Sequence, residues 1–260
     1  CQAENFSAHI SMMNSNFVNH LVYKHYYKKL YSKVDAIHYP TEFIKNLYEN
    51  DIKRKTNGYV ISNGVNSLYK KEVISVRKPE YSGKFNILFI GRISKEKSHH
   101  LLIKAVAKSK YKDIIQLIFA GQGPRVDEVT RLVKKLKINE PIIKFYSRTD
   151  LVEVINSSDL YVHPAEIEIE AISCLEAITC GLVPVISNSV RSATNRFAIS
   201  DMNLFQYNSA QDLANKIDYW IENPDKRKEC SKQYLGYTKQ FDQTLCMEKM
   251  RQMLISVIKK

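Results

Sequence analysis

The feature that most constrains this chain is a regular alternation that begins after Gly83. Short apolar runs of strand length are separated by longer amphipathic segments. The expected strands cover 85–90, 114–120, 142–146, 160–163, 182–186 and 203–206. The expected helices cover 101–108, 126–136, 150–157, 172–180, 211–222, 225–239 and 244–258. The strands are apolar throughout instead of alternating, which is the pattern of parallel strands buried on both faces. Gly91 and Gly121 stand at the ends of the first two strands, and Gly181 stands where a helix C-cap favours glycine. These signals predict an α/β domain with a doubly wound parallel sheet over residues 84–210.

Upstream the pattern is different. Residues 1–33 are rich in Asn, Tyr and Lys, with a helix expected over 17–33. A strand is expected at 36–39, ending at Pro40. Thr41 can cap the helix that follows, with Phe43, Ile44, Leu47 and Tyr48 along it. Another strand, 59–62, is stopped by the turn dipeptide Asn63-Gly64. Residues 70–83 are polar, contain Pro79 and read as a linker.

Composition narrows the class. The 260 residues suffice for one large domain or two small ones. With 44% hydrophobic and 25% charged residues, the chain is neither disordered nor of low complexity. No apolar run approaches the ~18–20 residues of a spanning helix, and no leader of charged then apolar residues is visible. The first residue is Cys1, so the chain reads as a fragment or processed product. Cys1, Cys174, Cys180, Cys230 and Cys246 form an odd set without a C-x-x-C pair, as expected of reduced thiols in a cytoplasmic protein.

Lys and Arg exceed Asp and Glu by 39 − 27 = 12, a net charge of +12 that attracts nucleic acid, anionic lipid or phosphorylated ligands alike. The stretch Y-K-H-Y-Y-K-K-L-Y-S-K (23–33) mixes basic and aromatic residues. It reads as a helix with packed tyrosines and solvated lysines, or as a face lying on anionic lipid at the inner side of a membrane. No nucleic-acid motif accompanies it, and nucleic acid is not expected as a partner.

A doubly wound sheet binds ligands beyond the carboxyl ends of its strands. Four loops should meet there: Gly91 to Lys97, the G-Q-G-P turn at 121–124, Ser147-Arg148-Thr149, and His163-Pro164-Ala165-Glu166 leading to Glu168 and Glu176. Arg92 and Lys97 can reach a diphosphate, one as a planar fork and the other as a point charge. The plainer reading is a solvated basic loop. The G-Q-G-P turn needs no ligand to explain its glycines. Glu168 and Glu176 are eight positions apart, about 12 Å of rise along a helix, too far to share a proton. They suit opposite ends of one elongated ligand, with backbone amides near 171–173 facing an anion between them. They also suit two exposed helix acids.

Taken together these loops resemble glycosyltransferase family 4, enzymes of the GT-B fold. The matching pieces are V-I-S-N-G-V-N (60–66), F-I-G-R-I-S-K-E-K (89–97), L-I-F-A-G-Q-G-P (117–124), S-D-L-Y-V-H-P-A (158–165) and E-I-E-I-E-A-I-S-C-L-E-A-I-T-C-G-L-V-P-V-I-S (166–187). The resemblance runs from about residue 36 to 225, and its Glu-x7-Glu element is specific. The stretch after Ile172 and the S-A-T-N-R-F-A-I at 192–199 resemble bacterial glycolipid-forming glucosyltransferases. The resemblance implies three parts: residues 1–80 as a remnant of an N-terminal, acceptor-side domain with its linker; 81–225 as the Rossmann-like donor domain; and 226–260 as helices packing back toward the N-terminal domain.

It also implies roles. Arg92 and Lys97 would hold the diphosphate of a nucleotide sugar and stabilise charge on the leaving group, beside Gly91. Glu168 would contact the donor sugar and Glu176 the ribose. Amides of Ala171 and Ile172 would sit on phosphate, Ser147 and Arg148 near the base, and Gly64 would face the cleft. Such enzymes transfer the sugar with retention and usually need no metal, so neither metal nor cofactor is expected. The default donor is UDP-glucose or UDP-galactose, and the acceptor a lipid or glycan. Departures from the family are Glu170-Ala171 in place of an aromatic-Gly pair, Ser98 after the lysine, and Ser147 in place of Gly. They leave a second reading, a non-catalytic relic or regulatory module of the same fold. His9 and His20 match no motif and read as ordinary polar residues.

Overall fold

The computed structural model describes residues 33–72 and 77–258, together with His25. The helix expected over 17–33, most of the basic-aromatic stretch, His9 and His20 lie outside the described residues. Contacts divide the chain into two compact units, Val65–Gln243 and a smaller one formed by Cys1–Gly64 and Thr244–Lys260.

The larger unit contains the expected α/β sheet. Its elements in chain order are β3 (Phe85–Ile90), α2 (His99–Lys108), β4 (Ile115–Ala120), α3 (Val126–Leu136), β5 (Ile142–Lys144), α4 (Arg148–Ser157), β6 (Leu160–His163), α5 (Ile172–Thr179), β7 (Pro184–Ser187), β8 (Leu204–Phe205), α6 (Ala210–Glu222) and α7 (Pro224–Tyr237). All strand pairs are parallel, in the order β5-β4-β3-β6-β7-β8. The chain builds outward from β3 to β5, then returns to the other side of β3 with β6. That return is the point where a doubly wound sheet opens a crevice.

The continuous apolar strands are buried on both faces as their composition requires. Leu88, Phe89, Ile118, Phe119, Val162 and Val185 are fully buried. Each such side chain contributes about 1.5–3 kcal/mol by leaving water, and truncating one to Ala would cost about 2–5 kcal/mol. α3 shows the matching helical logic: Val129 and Val133 face the core, and Lys134 and Lys135 lie in the last turn, where cations favour the helix dipole. Gly181 follows α5 at φ +78°, a conformation that glycine adopts without strain.

The smaller unit contains β1 (Ile37–Tyr39), α1 (Glu42–Ile52), β2 (Gly58–Val60) and most of α8 (Gln243–Ile258). β1 and β2 pair in parallel. The Thr41 hydroxyl accepts a hydrogen bond from the Ile44 amide at 3.1 Å, the cap expected from sequence. Ile61, Cys246 and Met253 form this unit's own apolar cluster.

Two boundaries differ from expectation. The division falls at Gly64–Val65 instead of 80/81. The supposed linker 70–83 is packed: Tyr81 is buried with the sheet, as are Val65 and Tyr69 just before it, and Arg77 grips Asp159 through two bonds of 3.0 and 2.8 Å. The segment 226–260 is likewise divided. α7 belongs to the larger unit, where Tyr234 is buried and donates to the Phe197 carbonyl at 2.9 Å, and only the chain from Thr244 joins the smaller one. No helix among the described residues is long and apolar enough to cross a membrane.

Candidate functional site

β3 and β6 end side by side, and the loops that leave them form the rim of the crevice. The loop after β3 is stitched to the loop after β4. Gly91 N donates to Ala120 O at 3.1 Å, Ile93 N to Gln122 O at 2.9 Å, and Arg125 N to Ile93 O at 3.2 Å. A Cβ on Gly121 would lie 2.1 Å from Gly91 O, and one on Gly123 would lie 2.2 Å from Ile93 O. The glycines of G-Q-G-P therefore exist for backbone approach. They fix the loop that carries Arg92 and Lys97. Arg92 is exposed and Lys97 half-buried.

Lys97 Nζ forms an ion pair with Glu168 Oε1. His163, the last residue of β6, places Nε2 at 3.1 Å from the same oxygen. On its other side His163 Nδ1 lies 3.0 Å from the Tyr161 hydroxyl, and Ser173 Oγ lies 3.4 Å from that phenol oxygen. Phe89 packs on the edge of the His163 ring with centroids 5.5 Å apart. Burial opposes ionisation of Glu168, but the hydrogen bond from His163 and the charge of Lys97 outweigh it and hold the carboxyl at about 2. Burial pushes the His163 imidazole down, against the pull of Glu168, and pushes the Tyr161 phenol well up.

The segment from Glu168 leads into α5. Glu168 N donates to Arg191 O at 3.4 Å and Ala193 N to Glu168 O at 3.0 Å, which ties this segment to the loop after β7. Ala171 precedes the helix at φ +59°, a left-handed conformation that costs a Cβ-bearing residue about 1–2 kcal/mol. Its small side chain limits that cost. The turn aims the first amides of α5, which lack intrahelical acceptors, along the helix axis. Glu170, the departure hardest to explain from sequence, is turned inward and pairs with Arg196 at 3.6 Å.

Glu176 sits one turn further along α5, half-buried. Burial raises its carboxyl pKa, opposed by the Tyr69 hydroxyl and the Arg148 charge. Tyr161 responds electrostatically to both Glu168 and Glu176, so the two clusters share one neighbour. Ser147 is engaged as the N-cap of α4, accepting from Asp150 N at 3.2 Å and donating to Asp150 Oδ2 at 2.7 Å. Gly64 ends the first stretch of the smaller unit, with φ +74° in its Asn-Gly turn.

The structure thus brings Lys97 and Glu168 into contact and sets Glu176 beside Arg148, while Arg92 reaches into solvent. The residues that sequence reasoning gave no role are Tyr69, Tyr161, His163 and Ser173. Tyr161 and His163 did carry a signal: two polar-tipped side chains on one face at the end of an otherwise apolar strand beside the switch point. Tyr69 carried none, because it lies between the Asn63-Gly64 turn and the polar stretch 70–83, with no periodic pattern around it.

The model of the family described as glycosyl transferases group 1 matches residues 70–234, more than half of the chain. The chain belongs to this family. The crystal structure of the catalytic domain of cholesterol-α-glucosyltransferase from Helicobacter pylori is 44% identical and superposes with a TM-score of 0.58, covering 59% of this chain and 96% of that one. An alpha-monoglucosyldiacylglycerol synthase of Streptococcus pneumoniae is 24% identical over 74% of this chain. The match spans 46% of that relative's length, so this group 1 glycosyltransferase chain spans about half of it. Anabaena Alr3699/HepE, solved in complex with UDP-glucose, shares the fold with a TM-score of 0.78 at 20% identity, over 92% of this chain and 68% of that one. In this group 1 glycosyltransferase the parallel sheet and flanking helices are those of the GT-B fold.

Proposed function

We propose that this chain carries the donor-binding part of a retaining hexosyltransferase that moves glucose from UDP-glucose to a lipid hydroxyl. UDP-galactose and a glycan acceptor are the alternatives within the same chemistry. The observation that carries the proposal is the contact of Lys97 with Glu168 at the crevice between β3 and β6. A cation for a diphosphate and a carboxylate for sugar hydroxyls stand side by side where a nucleotide sugar joins the two. The names of the Helicobacter and Streptococcus relatives both put glucose on a lipid, which favours that donor and acceptor.

In this reading Arg92 and Lys97 bind the diphosphate, with Gly91 beneath them and the amides of Ala171 and Ile172 completing the cradle. Preorganised cations of this kind stabilise the charge that builds on the departing diphosphate. They do so without a metal ion. Glu168 accepts hydrogen bonds from the donor sugar, Glu176 from the ribose, and Arg148 and Ser147 lie toward the base. Gly64 lies toward the acceptor cleft. A lipid acceptor places the reaction at a membrane surface, and the +12 charge supports contact with anionic lipid there.

Thermal unfolding tests the proposal directly. UDP and UDP-glucose should raise the melting temperature, while GDP-mannose and AMP should not. Ligand at 100 times its dissociation constant adds about 2.7 kcal/mol to the folded state. A folded chain that responds to none of these nucleotides, and still none when the whole protein is used, would favour a relic without transferase activity.

A further inference from the structure

We infer that His163 is a positioning residue that holds Glu168 in its sugar-binding orientation after Lys97 has turned to the donor diphosphate. The inference deepens the proposed function and rests on the role given there to Glu168.

The argument begins with which carboxylate oxygen is engaged. Lys97 Nζ and His163 Nε2 both bind Oε1 of Glu168. Oε2 has no hydrogen-bond partner among the described residues and is not sealed from solvent. One oxygen is therefore clamped and the other is open to a ligand. The two clamps differ in freedom. Lys97 is a long flexible side chain on the loop after β3, 21% exposed. His163 is fully buried at the end of β6, with Phe89 against its ring. A diphosphate competes for the lysine and cannot compete for the histidine.

The proton on His163 is set from both sides. The Glu168 carboxylate can only accept, so the ring nitrogen facing it, Nε2, carries the proton. Neutral His163 then presents Nδ1 as an acceptor to the Tyr161 hydroxyl 3.0 Å away, which donates to it in preference to the longer 3.4 Å contact with Ser173 Oγ. The chain Tyr161–His163–Glu168 therefore has one direction. It delivers a neutral donor to Oε1 and fixes the carboxylate plane without adding a second positive charge.

Titration calorimetry with UDP and UDP-glucose on wild type, Glu168→Gln, His163→Leu, His163→Gln and Tyr161→Phe tests the inference. A hydrogen bond to a charged group corresponds to a roughly 10–100-fold effect on binding. His163→Leu should lower UDP-glucose affinity by about 10-fold while UDP affinity stays within roughly 3-fold, matching Glu168→Gln. His163→Gln, whose amide N–H stands near the Nε2 position, should recover most of the loss. If His163→Leu does not fold, Tyr161→Phe carries the test, because it leaves the ring in place and frees Nδ1 to take the proton. It should lower UDP-glucose binding selectively, and the ring nitrogen NMR signals should show a mixed tautomer. Glu168→Gln weakening UDP-glucose while the His163 and Tyr161 variants bind like wild type would overturn the inference and leave the donor reading standing. Glu168→Gln binding both ligands like wild type would overturn both.

Discussion

Glu170 and Arg196 meet at 3.6 Å with side chains 3% and 29% exposed, directly behind the segment that carries Glu168 and Ala171. The guanidinium also lies over the Phe197 ring, 4.7 Å from its centroid. Burial lowers the Arg196 pKa, and Glu170 opposes that shift. At Glu170 the chain places a buried charge and supplies its counter-charge from the loop after β7.

Breaking that pair should be costly. Arg196→Met removes the cation that faces the buried Glu170 carboxylate and should destabilise the larger unit by about 1–3 kcal/mol. The double variant Glu170→Leu/Arg196→Met removes both charges and should recover most of the loss. Urea unfolding of the two single variants and the double variant gives the coupling. Additive losses would show that the two residues act separately.

Lys97 and Arg92 should separate by partner. In the proposed function each would supply a charge-assisted hydrogen bond of about 1.5–3 kcal/mol to the diphosphate, so each Ala variant should bind UDP roughly 10–100-fold more weakly. Raising the salt concentration should weaken wild-type binding more than that of Arg92→Ala, because the exposed guanidinium is the better screened of the two cations. Calorimetry at two ionic strengths reads both effects, and equal salt sensitivity would count against the placement of Arg92 on the phosphate.

Glu168 links the site to acid stability. Its carboxyl stands at about 2 in the folded chain against 4.5 for the free group. A depressed carboxylate contributes stability that is present above the unfolded value and is lost as pH falls through the folded one. The contribution, up to about 3 kcal/mol, should therefore fade between pH 4.5 and 2. Unfolding free energies across that range should fall more steeply for wild type than for Glu168→Gln. Parallel slopes would mean that the His163 hydrogen bond and the Lys97 ion pair do not hold the carboxylate in solution.

Gly121→Ala and Gly123→Ala should impair binding without touching ligand. The added methyl would meet Gly91 O or Ile93 O at 2.1 or 2.2 Å, and backbone must move to relieve that contact. The movement displaces the loop of Arg92 and Lys97. Weaker UDP binding together with a lower melting temperature is expected. A variant with wild-type affinity would show that the stitched loops are not needed to hold the cations.

How far the sequence could be read depends on the kind of signal. The sheet was legible because Ile87–Ile90 and the apolar strands after it are uninterrupted, and because Gly181 punctuates where a helix ends. Thr41 was legible as a cap from its place before Phe43 and Ile44. The packed stretch after Gly64 was not, since Val65 and Tyr69 stand among polar residues and their burial depends on partners such as Asp159, which holds Arg77 from far along the chain. Arg92, Lys97, Glu168 and Glu176 were singled out through the resemblance, and the structure brings Lys97 and Glu168 into contact. That contact was not legible, because it joins residues on two different strands' loops. Glu170 was legible as an anomaly, and its explanation waited on Arg196.

In the donor reading, the pairing of Lys97 with Glu168 gives the crevice a form of selectivity that its basic surroundings would otherwise lack. A small inorganic anion that draws the lysine away must leave the carboxylate facing the vacated space with nothing in exchange. Only a molecule that offers an acceptor to the lysine and hydroxyl donors to the glutamate satisfies both at once. In that reading the ion pair would act as a latch with two keyholes, and abundant free phosphate fits just one.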